Sequence, residues 1–338
     1  MKAIVLVGGF GTRLRPLTLG RPKQMLPVLD RPMLEWAVER LVRAGVDEVV
    51  LSLGYRPDVF IDAYGDGLCC GARLRYAVEP EPLDTAGAIR FAALAAGLDT
   101  CAEPFFVVNG DVISDQDPAE LLAMHYASKA QATILLTPVE DPSRYGVVSI
   151  AEDGSVLAFV EKPPPGEAPS NWINAGTYVL EPSVVGLIPG GRKVSIERET
   201  FPLLVDSGSL FALQAASYWI DAGTPSTYID VQLDLVEQRH GLGASHIGVG
   251  ASVATSASVT RSVVMAGARV GAGAIIEGSV LLPDAVIGEN CQVTGSIVGW
   301  GAVVEQGARL SELTVIGDGM RVNADSVLRG ARVPDSDG

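Results

Sequence analysis

The stretch Lys2–Arg13, KAIVLVGGFGTR, decides how this chain folds at its start, and the rest can be read outward from it. A short apolar run, Ala3–Val7, leads into Gly8-Gly9-Phe10-Gly11-Thr12-Arg13. An apolar strand that delivers glycines and then a guanidinium suits a polyphosphate, because bare backbone N–H groups and a planar cation can converge on its oxygens. The spacing is neither G-x-G-x-x-G nor G-x-x-x-x-G-K-[ST]. Charge widens the signal. Residues 1–29 hold Lys2, Arg13, Arg15, Arg21 and Lys23 and no acid, in a chain whose net charge is −15.

Further apolar runs at Glu48–Leu53, Leu74–Val78 and Phe105–Val108 read as buried strands, and Met33–Ala44 and Ala86–Ala96 carry helical spacing between them. This alternation predicts an α/β fold, Rossmann-like, with a mostly parallel sheet covered by helices on both faces. Ligands of such sheets gather at the carboxyl ends of strands, where the glycine loop and Asn109-Gly110-Asp111 fall.

After about Ser245 the pattern changes. Aliphatic residues recur at Ile247, Val253, Val259, Val264, Val270, Ile276, Leu282, Ile287, Val293, Val298, Val304, Leu310, Ile316, Val322, Leu328 and Val333, nearly always six apart and occasionally five. Small residues fill the gaps and lysine is absent. A six-residue period predicts a left-handed parallel β-helix of hexapeptide repeats. The chain therefore divides into an α/β domain over 1–240 and a β-helix over 246–334, with Gln238–Ser245 as the linker. Acyltransferases built on such helices commonly use a histidine base. His125, His240 and His246 all read as lying outside the coils, so the β-helix is expected to be structural, oligomerising or regulatory.

The 338 residues, 48% hydrophobic, can bury one large core or two moderate ones. Bulk acidity argues against nucleic acid as a partner. Cys69, Cys70, Cys101 and Cys291 lack metal-ligand spacing and read as buried free thiols of a reducing compartment. No apolar run is long enough to cross a membrane and Met1-Lys2 runs straight into a strand, so the expected location is cytoplasmic.

The pattern Val7-Gly8-Gly9-x-Gly11-Thr12-Arg13-Leu14-x-Pro16-Leu17-Thr18, followed by Pro22-Lys23 and Leu26-Pro27-Val28, resembles the sugar-1-phosphate nucleotidylyltransferases, most of all their mannose-1-phosphate guanylyltransferase branch. Further resemblances follow in family order: Glu81-Pro82-Leu83-Asp84-Thr85-Ala86-Gly87, with Asp84 at a usual glycine; Asn109-Gly110-Asp111; Tyr145-Gly146-Val147-Val148; Glu161-Lys162-Pro163; Asn174-Ala175-Gly176; and Trp219-Ile220-Asp221-Ala222-Gly223-Thr224-Pro225. The resemblance implies that Leu6, Gly8, Gly9, Gly11, Thr12, Glu79, Thr85 and Gly110 bind the nucleotide. It implies that Arg13 steadies the leaving pyrophosphate, Lys23 holds phosphates, and Gly146, Glu161, Lys162 and Asn174 line the sugar-phosphate wall. Asp111 and Asp221 would hold Mg2+. Ser195-Ile196-Glu197 and Phe201-Pro202 also fit, with no role attached.

The chemistry of these side chains agrees with such roles. Phosphoryl-type transfer needs positioning and charge neutralisation more than covalent chemistry, and hard carboxylates suit Mg2+. Guanine offers N1–H and N2–H donors side by side, which a carboxylate at Glu79 can accept. The expected substrates are thus a nucleoside triphosphate, GTP first, and a sugar 1-phosphate, mannose 1-phosphate first, with the β-helix supporting a homo-oligomer. Use of UTP, dTTP or ATP with glucose 1-phosphate, or a non-catalytic nucleotide-sugar sensor, stays open. Keeping Arg13, Lys23, Asp111 and Asp221 together favours catalysis.

Overall fold

A computed structural model describes residues 1–65 and 67–335. They form two compact units, Met1–Gly9 with Leu34–Trp219, and Phe10–Met33 with Ile220–Gly338.

The first unit is built on a ten-stranded sheet. Its centre is parallel: Phe105–Asn109, Lys2–Leu6, Glu48–Leu53 and Ala72–Val78 lie side by side in that order. Crossovers such as helix Met33–Arg43 and helix Asp84–Ala96 return the chain to the same edge, which is what makes neighbouring strands parallel. Beyond the centre, Trp172–Leu180 joins Phe105–Asn109 antiparallel, and Gly146–Ile150 and Val156–Glu161 extend the sheet as a hairpin. Ala132–Pro138 also pairs with Trp172–Leu180 and takes Leu210–Gln214 as a parallel neighbour. The core packs Ile4, Val50 and Val107 from the central strands with Ile89, Ala92 and Ala93 from helix Asp84–Ala96. That helix stops at Gly97, whose φ of +70° is the left-handed turn that glycine adopts without strain.

In the second unit, helix Pro225–His240 begins at Thr224, whose hydroxyl accepts from the Thr227 N–H in a capping box, with Pro225 in the first turn. The helix runs to His240, so Gln238–His240, read as linker, is helical up to the stop at Gly241. Its buried face grips the N-terminal loop: Tyr228 Oη and Gln232 Nε2 (2.8 Å) both donate to the Pro27 carbonyl, and Gln232 Oε1 accepts from the Leu29 N–H at 2.7 Å. Burial pushes the Tyr228 hydroxyl well above the ordinary phenol range, so it stays a donor.

The β-helix follows as one six-stranded and two five-stranded sheets, all parallel, as in a left-handed hexapeptide solenoid. Val263 lies over His246, Val280 over Val263 and Ile297 over Val280, so a coil takes 17 residues, two steps of six and one of five. The residue stacked between Val264 and Val298 is Leu281, not Leu282. Both leucines are aliphatic and buried, so periodicity alone does not separate them; the five-residue step falls at the same corner of each 17-residue coil. A hydroxyl ladder marks that corner. Ser262, Ser279 and Ser296 are fully buried; Ser262 Oγ accepts from Ser279 N–H and Ser279 Oγ from Ser296 N–H, each at 3.1 Å. Each hydroxyl donates in turn to a carbonyl two residues back, at 2.7–2.8 Å. One coil holds 18 residues, Ile297 to Val315, and takes the extra residue where Glu312 and Leu313 both have positive φ.

Two expectations change. His246 lies on the first coil strand, His246–Ile247, 2.9 Å from an Asp30 carboxylate oxygen, so the coils do hold a histidine. All four cysteines are free, but Cys70 is exposed, and only Cys69 and Cys291 are buried. Among the described residues no helix is long and apolar enough to cross a membrane.

Candidate active site

The first unit gathers its site residues at the carboxyl edge of the parallel strands. Leu6 ends one strand opposite Ser52 and Asn109, and its carbonyl accepts from the Gly110 N–H at 3.0 Å. Gly8 follows two residues on, and the exposed Gly9 after it. Glu79 follows strand Ala72–Val78 and is 8% exposed, so it is not a surface residue at a strand end. Its Oε1 accepts from Ser52 Oγ at 2.9 Å and its Oε2 from the Leu83 N–H at 3.2 Å. It lies against Gly8, where a Cβ would come within 3.3 Å of Oε1. An ionised carboxylate has about four acceptor positions, so two committed bonds leave room for two more. Asp111 is 9% exposed in the turn between strands Phe105–Asn109 and Val112–Ser114.

Asp84 opens helix Asp84–Ala96 with φ +62°. The left-handed region is where a glycine costs least, and aspartate is among the few other residues that enter it readily. Asp84 thus occupies a conformation that a glycine would also adopt without strain, and its Oδ1 accepts from the Thr85 N–H at 2.8 Å. The Thr85 hydroxyl is committed within the protein, donating to Glu197 Oε2 and accepting from the Ile196 N–H, both at 2.8 Å. Glu197 also takes the Ser195 hydroxyl at 2.7 Å. The Ser195-Ile196-Glu197 motif therefore secures the start of the helix, a task visible only once residues 112 positions apart are brought together.

The hairpin side of the sheet carries the other group. Gly146 pairs with Glu161. Lys162 sits at φ +51°, a conformation strained for a lysine, with its N–H on the Tyr145 carbonyl and its Nζ 3.4 Å from Glu161 Oε1. Asn174 stands where strand Trp172–Leu180 shifts register; its Oδ1 accepts from the Gly176 N–H and its Nδ2 donates to Tyr178 Oη. Burial, with Glu197 and Glu161 nearby, pushes the Tyr178 hydroxyl far above its usual range. Trp219 Nε1 donates to the Ala175 carbonyl at 2.9 Å, and its ring meets Tyr145 edge-on at 5.8 Å. Three separated motifs are tied together here.

The second unit holds Arg13 and Lys23. Gly11, at φ +60°, starts a single 3-10 turn, Thr12–Leu14, and its carbonyl accepts from Thr18 Oγ1 at 2.7 Å. Thr12 and Arg13 are exposed on this turn, and Lys23 opens a second one, Lys23–Met25. Arg13 Nη2 lies 3.8 Å from Asp221 Oδ2, and Gly223 closes the cluster by donating its N–H to Asp221 Oδ1 at 2.9 Å. A side chain on Gly223 would meet both groups at 2.7 Å. The pair is open to water, worth about 0–1 kcal/mol, and so readily exchanged for stronger ligands.

Among the described residues no group of three or more His, Cys, Asp or Glu forms a ready metal cage. The carboxylate of Asp111 in the first unit and that of Asp221 in the second are each the kind of hard oxygen donor that a divalent cation takes one or two at a time, with phosphate and water as its remaining ligands.

The nucleotidyl transferase family profile matches residues 2–238, and the profile described as the GMPPB C-terminal domain matches residues 242–336. The chain belongs to the nucleotidyl transferase family. This nucleotidyl transferase is 44% identical over 236 residues to the mannose-1-phosphate guanylyltransferase of Mycobacterium tuberculosis, covering 69% of this chain and 64% of that protein. It is 42% identical over 269 residues to a probable mannose-1-phosphate guanylyltransferase 2 of Oryza sativa, covering 78% and 72%. The chain thus spans slightly less than two thirds of the mycobacterial relative. Among solved structures it resembles a putative glucose-1-phosphate thymidylyltransferase of Bacillus anthracis in complex with a sucrose, at TM-score 0.62 and 27% identity over 69% of this chain and 94% of that one. It also resembles HddC of Yersinia pseudotuberculosis complexed with GMP-PN, at TM-score 0.59 and 30% identity over 69% and 99%. Substrates of this family are a nucleoside triphosphate and a sugar 1-phosphate, and its members generally use a divalent metal.

Proposed function

We propose that this protein is a mannose-1-phosphate guanylyltransferase. An oxygen of mannose 1-phosphate attacks the α-phosphorus of GTP in line, the bond from that phosphorus to the β-phosphate oxygen breaks, and GDP-mannose and pyrophosphate leave. The observation that carries the reading is Glu79, a buried carboxylate at a parallel-strand end against Gly8, with acceptor positions to spare for guanine N1–H and N2–H. The names of the relatives, and a structural neighbour solved with GMP-PN, support the same base.

In this reading the backbone around Leu6, Gly8, Gly9, Gly11, Thr12 and Gly110 holds the nucleotide, with Thr85 fixing the helix start beside the base segment. Arg13 exchanges Asp221 for the departing pyrophosphate, and Lys23 holds phosphate oxygens. Lys162, kept in its strained backbone beside Glu161, takes the sugar phosphate, while Glu161, Asn174 and Gly146 line the sugar side. Asp111 and Asp221 are each assigned to Mg2+, which supplies neutralisation of phosphate charge when bound. No covalent enzyme intermediate is required.

We also assign residues 1–240 to catalysis and 246–334 to the β-helix, a cytoplasmic location, and self-association through the β-helix. The last is supported by Leu242 and Val249, 92% and 87% exposed near its terminal strand, His246–Ile247. Light scattering on the purified protein tests it, and a monomer at all concentrations overturns it. For the activity, the test is a matrix of nucleoside triphosphates against sugar 1-phosphates read by pyrophosphate release. GTP with mannose 1-phosphate is expected to give the highest kcat/KM; preference for a pyrimidine nucleotide, or no turnover with any pair, overturns the reading.

A further inference from the structure

Arg21 belongs to the basic opening segment, yet no step of the reaction above uses it. Its guanidinium is held from two sides. Nε and Nη2 donate to Asp318 Oδ2 at 3.1 and 3.0 Å, and its Cζ lies 4.4 Å from the centre of the Trp300 ring. Asp318 is itself fixed, because its Oδ1 accepts from the Trp300 N–H at 3.0 Å. A guanidinium stacked on an aromatic face and paired to a braced carboxylate has little freedom to wander. Two further anchors lie a few residues upstream. Arg332 Nη1 donates to the Arg15 carbonyl at 2.9 Å, and Pro16 packs on Gly317, where a Cβ would come within 3.1 Å of the proline.

These anchors sit at positions 15, 16 and 21. Arg13 lies two residues before the first of them and Lys23 two residues after the last. Consecutive α-carbons are about 3.8 Å apart, so neither cation can be far from a fixed point. Three successive coils provide the anchors: Trp300 from one, Gly317 and Asp318 from the next, Arg332 from the last.

We propose that Arg21, Asp318 and Trp300 are positioning residues that hold the Phe10–Met33 loop on the β-helix and so set where Arg13 and Lys23 meet phosphate. The β-helix is then a working part of nucleotidyl transfer as well as a module for assembly. This rests on the reading of Arg13 and Lys23 as phosphate-binding groups. Misplacement by about 1 Å can cost about 10²-fold in rate, so a loosened anchor acts on catalysis without touching substrate.

The test uses the full-length protein with Arg21→Ala, Asp318→Ala, the double variant, Arg21→Lys, and Arg321→Ala as a control at the exposed Arg321–Glu305 pair of the same β-helix. Steady-state kinetics, melting temperature and hydrogen exchange are measured together. The amides to follow are Leu14, Arg15, Leu17 and Leu19, all bonded to carbonyls within the loop. The expected result is a loss of kcat/KM of about 10- to 100-fold in Arg21→Ala and Asp318→Ala, with kcat carrying part of it. Exchange at those amides should rise while the melting temperature stays near that of the parent. The double variant should lose no more than the larger single one. Arg21→Lys should recover part of the loss, and Arg321→Ala should change nothing. Parental kinetics in Arg21→Ala and Asp318→Ala, or unchanged loop exchange, overturns the proposal. If the parent protein releases no pyrophosphate with any substrate pair, the proposed function falls on its own. Loop exchange then decides the anchor alone: a rise in Arg21→Ala upholds it and no change overturns it.

Discussion

Glu79 and Asp111 in one unit of this chain and Arg13 in the other are held in opposite ways. In the sheet unit Glu79 and Asp111 are 8% and 9% exposed, built into the edge of the core. In the β-helix unit the Arg13 side chain is 61% exposed on a single turn, opposite an Asp221 reachable by water. Groups that choose a substrate gain from rigid placement, since an unpaired buried acceptor penalises the wrong partner. Groups that neutralise moving charge can sit on a loop, provided something fixes the loop.

That contrast can be broken in four places. The largest effect is expected from Asp111→Asn, which keeps the shape and removes the charge. Turnover should fall on the order of 10³-fold, as for loss of a preorganised charge-stabilising group, with the melting temperature little changed; turnover within tenfold of the parent would take Asp111 out of the reaction. Next is Glu79→Gln. Hydrogen bonds to a charged group contribute about 1.5–3 kcal/mol, so the GTP-to-UTP ratio of kcat/KM should drop about 10- to 100-fold; an unchanged ratio removes Glu79 from base recognition. Third is Ser279→Ala in the hydroxyl ladder, which strands the buried Ser296 N–H and should cost about 1–3 kcal/mol in denaturant unfolding while leaving turnover per folded molecule intact. The smallest is the stability effect of Asp221→Asn. Breaking so open a pair should change unfolding free energy by less than about 1 kcal/mol, even as activity falls; a larger loss would show that the pair is structural.

Much of this was legible in the sequence, and the exceptions share a cause. The strand–glycine–cation order gave the parallel centre, and the six-residue period gave the coils, because both are local patterns of apolar and small residues. Leu281 and Leu282 could not be told apart because the deciding fact is a backbone pairing 17 residues away. The serines at 262, 279 and 296 read as filler, since a hydroxyl's value shows only when the coil above places an N–H over it. Asp84 read as a departure from the family pattern, yet its φ of +62° lies in the region that glycine enters freely and aspartate tolerates. The basic opening segment read as one piece, whereas its contacts divide it between Gly9 and Phe10. Side-chain identity reports what a residue can do; its committed partners, often a hundred positions distant, report what it is left to do.

The 17-residue coil has a consequence for length. Three whole coils separate His246 from the coil that carries Trp300, and each adds one strand spacing, about 4.8 Å. Helix Pro225–His240 clamps the loop at Pro27 and Leu29, while the later coils clamp it at Arg15, Pro16 and Arg21. The stack of coils is therefore a ruler, graduated in whole turns, that sets the span between two clamps on one short loop. Deleting one coil would leave every ladder in register and still move the upper clamp by a full graduation, so this solenoid's repeat number is constrained by the reach of twenty-odd residues at the other end of the chain.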